Sequence, residues 1–261
     1  MLDGANDLEV DGGITDIDGA FDIQSSAGYD AANSDYAIED SSAAILGDTG
    51  TVVDAGVSDV VVTDATGAGY VDASDGEALS ELEGLLQTAT NDSSADIEFR
   101  VEDDAAAIAA VLNGDRDALD GANDLDVTGG TTTVAGAADI QSSGAYDAAN
   151  SDYTITDTAG AILGDTATAI DDGVSDITVL NTVDAAQGVQ LSSLEAQLAV
   201  ETGSNAADVN FNVEDSSGVF FTVDNDTTSA IDMTGANSVV IESQGEALGS
   251  AEYDALAAQV E

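Results

Sequence analysis

Asp40, Asp64, Asp103, Asp157 and Asp215 each end a short run in which apolar residues alternate with others, as in YAIED, VVVTD and YTITD. Asp59 and Asp176 open two such runs, DVVVTDA and DITVLNT. Acids at recurring strand ends can do two kinds of chemistry. Stacked on neighbouring strands about 4.8 Å apart, they could not all ionise cheaply without cations between them. Ca2+ is the ion that takes hard oxygen ligands in number. Alternatively, each carboxylate caps a helix, accepting backbone N–H bonds and complementing the helix dipole. The two roles are compatible. Calcium ions are therefore the expected cofactor, with Asp40, Asp64, Asp103, Asp157, Asp215, Asp59 and Asp176 as candidate ligands. Asn181 stands where Asp64 would recur, keeping an oxygen but no charge.

Other chemistry finds little material. The chain has no cysteine and no histidine, and its two cationic residues are Arg100 and Arg116. Ser-His-acid and Cys-His arrangements and a Schiff-base lysine are thereby excluded. A carboxylate pair of the glycosidase kind has 53 acids to draw on, but such pairs work in aromatic-walled clefts, and the chain has no tryptophan. A non-enzyme is expected. A net charge of −51 argues against nucleic acid and anionic membranes as partners. Cations should stabilise so acidic a chain by screening or by binding. No apolar run reaches the length of a membrane span, so no membrane insertion is expected. The opening MLDGANDLEV lacks the pattern of a signal peptide, which fits an excised fragment or export by a C-terminal signal.

The elements that must position these acids come from duplication. Residues 2–63 and 119–180, offset by 117, are identical at 41 of 62 positions. LDGANDLEV answers LDGANDLDV, and YDAANSDYAIED answers YDAANSDYTITD. Acids retained between the copies include Asp7 with Asp124, Asp30 with Asp147 and Asp35 with Asp152. Most such acids read as turn formers or solvated surface. DGGITDIDG, from Asp11, resembles half a calcium loop, although its counterpart TGGTTTVAG has lost the acids. Tyr36, Tyr153, Phe99 and Phe211 read as core.

Within each copy, short strands alternate with amphipathic segments such as GEALSELEGLLQ and LSSLEAQLAV, whose leucines recur at helical spacing. Strand, helix and next strand recurring every ~25 to 35 residues favour parallel strands joined by crossover helices. The expected fold class is α/β: a repetitive open solenoid of parallel strands with crossover helices. The alternative is a mostly-β parallel helix, since GDTGTVVDAG is a poor helix sequence. The expected division is a first solenoid repeat over 1–118, a second over 119–235 and a partial third over 236–261. A pattern that stops within a unit predicts association with copies of itself or neighbouring repeats.

The YxIxDTAxxI module, alternating with xVTVxD…AxxLxxL, resembles repeats of large secreted bacterial proteins of the RTX-type adhesin and S-layer-like kind. That resemblance implies export to the cell surface, calcium-assisted folding and an extending or self-assembling role. The glycine-rich nonapeptide of true RTX calcium rolls is missing, so no binding residue is carried over. Three functions follow as expectations: a calcium-stabilised structural module of a surface layer, filament or adhesin; a carbohydrate- or surface-binding solenoid; and a halophilic protein with generic acidity.

Overall fold

The computed structural model describes residues 8–63, 69–113, 115–204, 207–216, 221–224, 227–230, 233 and 235–242. It is an α/β protein whose sheets are built from parallel strands. Among the described residues no helix is long and apolar enough to cross a membrane. The chain divides into two compact units: Met1–Asp103 with Ala107–Asp126 and Ser142–Asp147, and Asp104–Ala106 with Val127–Gln141 and Ala148–Glu261.

In the first unit, β1 (Asp11–Thr15), β2 (Asp35–Asp40), β3 (Val57–Val62) and β5 (Asp96–Glu98) lie side by side in that order, all parallel. A second parallel pair joins β4 (Tyr70–Val71) to β6 (Arg100–Asp103). The helices are α1 (Ile17–Gln24), α2 (Ser42–Gly47), α3 (Thr49–Val52) and α4 (Ala73–Thr90). The helix α5 (Ala105–Leu112) and the strand β7 (Asp124–Thr132) continue from one unit into the other.

The second unit repeats the plan. Its parallel strands run β7, β8 (Asp152–Asp157), β9 (Val174–Val179), β10 (Asp208–Ser216) and β13 (Ala236–Glu242). The helices α6 (Val134–Ser142), α7 (Ala159–Gly164), α8 (Thr166–Ala169) and α9 (Ala185–Glu201) follow the strands. An antiparallel hairpin of β11 (Phe221–Asp224) and β12 (Thr227–Ala230) interrupts the parallel plan, and nothing in the periodicity pointed to it.

The core is aliphatic, as the composition requires. Ile38, Val60, Ile97, Ile155, Ile177 and Val209 are fully buried on the strands, as are Leu79 and Leu86 of α4 in the first unit and Leu191 and Leu198 of α9 in the second. The expected leucine spacing is thus the buried face of both long helices. Tyr36, Tyr153, Phe99 and Phe211 are core residues as expected. Each tyrosine keeps a polar partner: Gln24 Nε2 donates to Tyr36 Oη (2.8 Å) and to the Thr51 carbonyl (2.8 Å), and Gln141 Nε2 does the same to Tyr153 Oη and the Thr168 carbonyl. The recurring DIQSS motif therefore satisfies a buried hydroxyl.

Two local readings change. GDTGTVVDAG is not turn and strand up to Val53: Asp48 caps the short helix α3, its Oδ1 accepting from Thr51 N, before β3 begins at Val57. The acids of DGGITDIDG are divided between a strand and a cap. Asp11 opens β1 opposite Asp35, while Asp16 caps α1 through Gly19 N (2.8 Å).

Candidate functional site

The strand-ending acids turn out to be helix caps, with a partner that the chain order conceals. Asp40 ends β2, yet its Oδ2 accepts from Ile17 N (3.2 Å), the first residue of the helix that follows the neighbouring strand β1. Asp103 ends β6 and accepts from Ala73 N (3.0 Å), at the start of the helix after β4. Asp157 ends β8 and accepts from Val134 N (3.2 Å), after β7. Asp215 in β10 accepts from Ala185 N (3.1 Å), just after Val183 bridges to Val213. Asn181 does the same with its amide oxygen, accepting from Ala159 N (2.9 Å).

Each side chain thus satisfies a helix N–H that has no intrahelical partner, and it does so across the sheet. The helices' own caps are other residues: Asp16, Asp72, Thr158 and Asp184. Asp40 and Asp157 spend their second oxygen too, on Ser41 N and Thr158 N (2.7 Å each). Asp64 lies outside the described residues. Between β8 and β10 runs β9, followed two residues past its end by the neutral Asn181, so the carboxylates of Asp157 and Asp215 are not on adjacent strands.

Asp59 and Asp176 lie inside β3 and β9, each the third residue of its strand, rather than at a strand start as their runs suggested. Asp59 is in register with Asp96, and Asp176 with Asp208, whose N–H donates to Asp176 Oδ1 (3.1 Å). Asp176 also lines an open polar cleft of about 480 Å³ with Asp152, Asp172, Ser151, Ser175 and Thr202.

The tightest acid grouping among the described residues lies elsewhere, at Asp124, Asp126 and Asp147. Backbone geometry brings these three together. Asp124 and Asp126 are two apart on β7 and share a face, while Leu125 between them is fully buried on the other. Leu125 bridges to Tyr146; its N–H donates to the Ala145 carbonyl (2.9 Å) and its carbonyl accepts from Asp147 N (3.1 Å). That bridge sets Asp147 beside the pair.

One carboxylate oxygen from each of the three lies within 4.8 Å of the others. At an effective dielectric of about 20, two charges that far apart repel by roughly 3 kcal/mol. Asp126 is only 7% exposed. Its Oδ2 accepts from Tyr70 Oη (3.2 Å), and its Oδ1 is buried without a hydrogen-bond partner. Burial pushes the Asp126 carboxyl above the usual carboxylate range. Asp124 adds to the rise, the Tyr70 hydroxyl opposes it, and Asp147 and Glu102 raise it further. The Arg100 guanidinium lies 5.7 Å from the centroid of the Tyr70 ring.

Sequence reasoning passed over this trio. Asp124 and Asp147 were visible as acids retained from Asp7 and Asp30, but Asp126 replaces Glu9, and the pairing of Leu125 with Tyr146 spans a stretch with no strand pattern. Tyr70, 56 residues from Asp126, carries no sequence signal of its partner.

No protein-family model matches this chain, and neither the curated proteins nor the solved structures give a match.

Proposed function

We propose that the chain is a non-enzymatic structural repeat module of an extracellular surface-layer, filament or adhesin protein. In this reading it is a solenoid in which each strand-helix rung packs on its neighbours, calcium supports the fold, and copies or neighbouring repeats join end to end. The observation that carries it is the cross-strand cap at Asp40, Asp103, Asp157 and Asp215. What duplication has kept at the strand ends is a device that ties one rung to the next, which is what an extended array needs and a reaction centre does not.

Circular dichroism and light scattering during a calcium titration test this reading. The expected result is folding or assembly at low millimolar Ca2+ that NaCl of equal ionic strength does not reproduce. Indifference to Ca2+ with dependence on molar salt would replace it with halophilic acidity.

A second reading, carbohydrate binding, draws on the cleft at Asp152, Asp172 and Asp176, whose carboxylates and hydroxyls suit sugar hydroxyls. Glycan-array binding by calcium-loaded monomer would favour it.

A further inference from the structure

We propose that Asp124, Asp126 and Asp147 form a specific Ca2+ site. The inference deepens the calcium-stabilised reading by naming residues, and it rests on that reading only for the choice of ion.

Acids on an acidic surface are not a site by themselves. This trio differs in that Asp126 is more than nine-tenths buried and has an oxygen with no partner. An ionised carboxylate so placed is costly unless a cation answers it, and two further carboxylates within 4.8 Å multiply the need. An ion bonded at about 2.3–2.6 Å to each ligand spans that separation, and hard carboxylate oxygens are the ligands Ca2+ takes. Three carboxylates leave coordination positions for water and backbone carbonyls. Tyr70 holds Asp126 in place through Oδ2, while Oδ1 has no hydrogen-bond partner.

The first repeat has the same backbone ladder. Leu8 bridges to Tyr29, Leu8 N–H donates to the Gly28 carbonyl (2.7 Å), and Asp30 N–H donates to the Leu8 carbonyl (3.0 Å). There the residue facing the position of Asp126 is Glu9, which is exposed. Asp30 is followed by the 3-10 turn Ala31–Asn33, as Asp147 is by Ala148–Asn150. What differs among the described residues is Asp126, buried and bonded to Tyr70, against the exposed Glu9.

Tb3+ is a luminescent stand-in for Ca2+, and Tyr70 is placed to sensitise it. The full chain is titrated with Tb3+ under tyrosine excitation at fixed NaCl, then back-titrated with Ca2+, as wild type, Asp126→Asn, Asp30→Asn and Tyr70→Phe. The expected result is a saturable signal displaced by Ca2+ in wild type. Asp126→Asn should lose at least about tenfold in affinity, Asp30→Asn should bind as wild type, and Tyr70→Phe should lose most of the emission. Circular dichroism in EDTA shows whether Asp126→Asn folds; with an unpartnered buried charge removed, it should melt no lower than wild type. Unchanged Tb3+ affinity in folded Asp126→Asn, or equal loss in Asp30→Asn, would overturn the site. Calcium-dependent assembly that survives in Asp126→Asn would sink the site and leave the structural reading standing. Tight binding at the trio without any assembly would do the reverse.

Discussion

Residues 8–30 and 125–147 are identical at 14 of 23 positions and share a backbone ladder, Leu8 to Tyr29 and Leu125 to Tyr146, yet their acids meet different fates. In the first, Glu9 faces solvent. In the second, Asp126 is buried beneath Tyr70 with an oxygen unanswered. What separates the two is the shorter acid at Asp126 and the hydrogen bond it receives from Tyr70 on a distant strand. A duplicated sequence can therefore repeat its scaffold faithfully and still differ in chemistry wherever a residue from outside the copied stretch covers it.

The two long helices offer the sharpest way to test how alike the repeats are. A methyl group at Gly76 of α4 would come within 2.7 Å of Val101 Cγ2 and 3.2 Å of Leu119 Cδ2. At Gly188 of α9 the nearest atom is the Met233 sulfur at 2.9 Å, on a side chain that can swing aside. Gly76→Ala is expected to destabilise by about 1–3 kcal/mol, and Gly188→Ala by clearly less. Gly84→Ala, on α4 with open space around it, should instead stabilise by up to about 1 kcal/mol. Chemical denaturation of the three variants checks the order.

The strand-end caps should be equal in the two repeats. Asp40→Ala and Asp157→Ala each strand two backbone donors, so each is expected to cost about 1–2 kcal/mol. A large inequality would break the equivalence of the two strand ends. Asn181→Asp restores a charge at the start of α7 and should gain about 0.3–1 kcal/mol at low salt, fading as salt is raised.

The smallest effect is expected at Glu83 of α4. Its Oε1 accepts from Gln87 Nε2 (2.9 Å), while its Oε2 is buried without a partner. Burial raises the carboxyl above its ordinary value, and Asp96 adds to this against an opposing backbone N–H of Ile97. A raised acid favours the folded state in its neutral form. The contribution is therefore full below the unfolded-state value and is lost as pH climbs through the folded one. Glu83→Gln should raise the melting temperature at pH 7 by a degree or two and leave it nearly unchanged near pH 4.

Much of the fold was legible in the sequence because periodicity reports burial. The leucines of α4 and α9 and the aromatic positions at Tyr36, Tyr153, Phe99 and Phe211 all lie where their spacing put them. The parallel pairing also followed from strand, helix and strand recurring in order. At the strand ends the sequence supported a cap but not its owner, because the acceptor ends one strand and the donor begins the helix after the neighbouring strand, as for Asp157 and Val134, 23 residues apart. The trio was the least legible part. Asp126 acquires its meaning from Tyr70 and from the Leu125–Tyr146 bridge, both contacts between segments whose own sequences carry no sign of each other.

The central claim is that strand-end acids are structural and that the buried trio takes the cation. Calcium calorimetry on the full chain carrying Asp40→Asn, Asp103→Asn, Asp157→Asn and Asp215→Asn together tests it most directly. Asparagine keeps the cross-strand acceptor, as Asn181 already does. The variant is expected to fold by circular dichroism and to bind Ca2+ with the affinity and stoichiometry of wild type. Loss of calcium binding in a variant that still folds would contradict the claim and return the site to the strand ends.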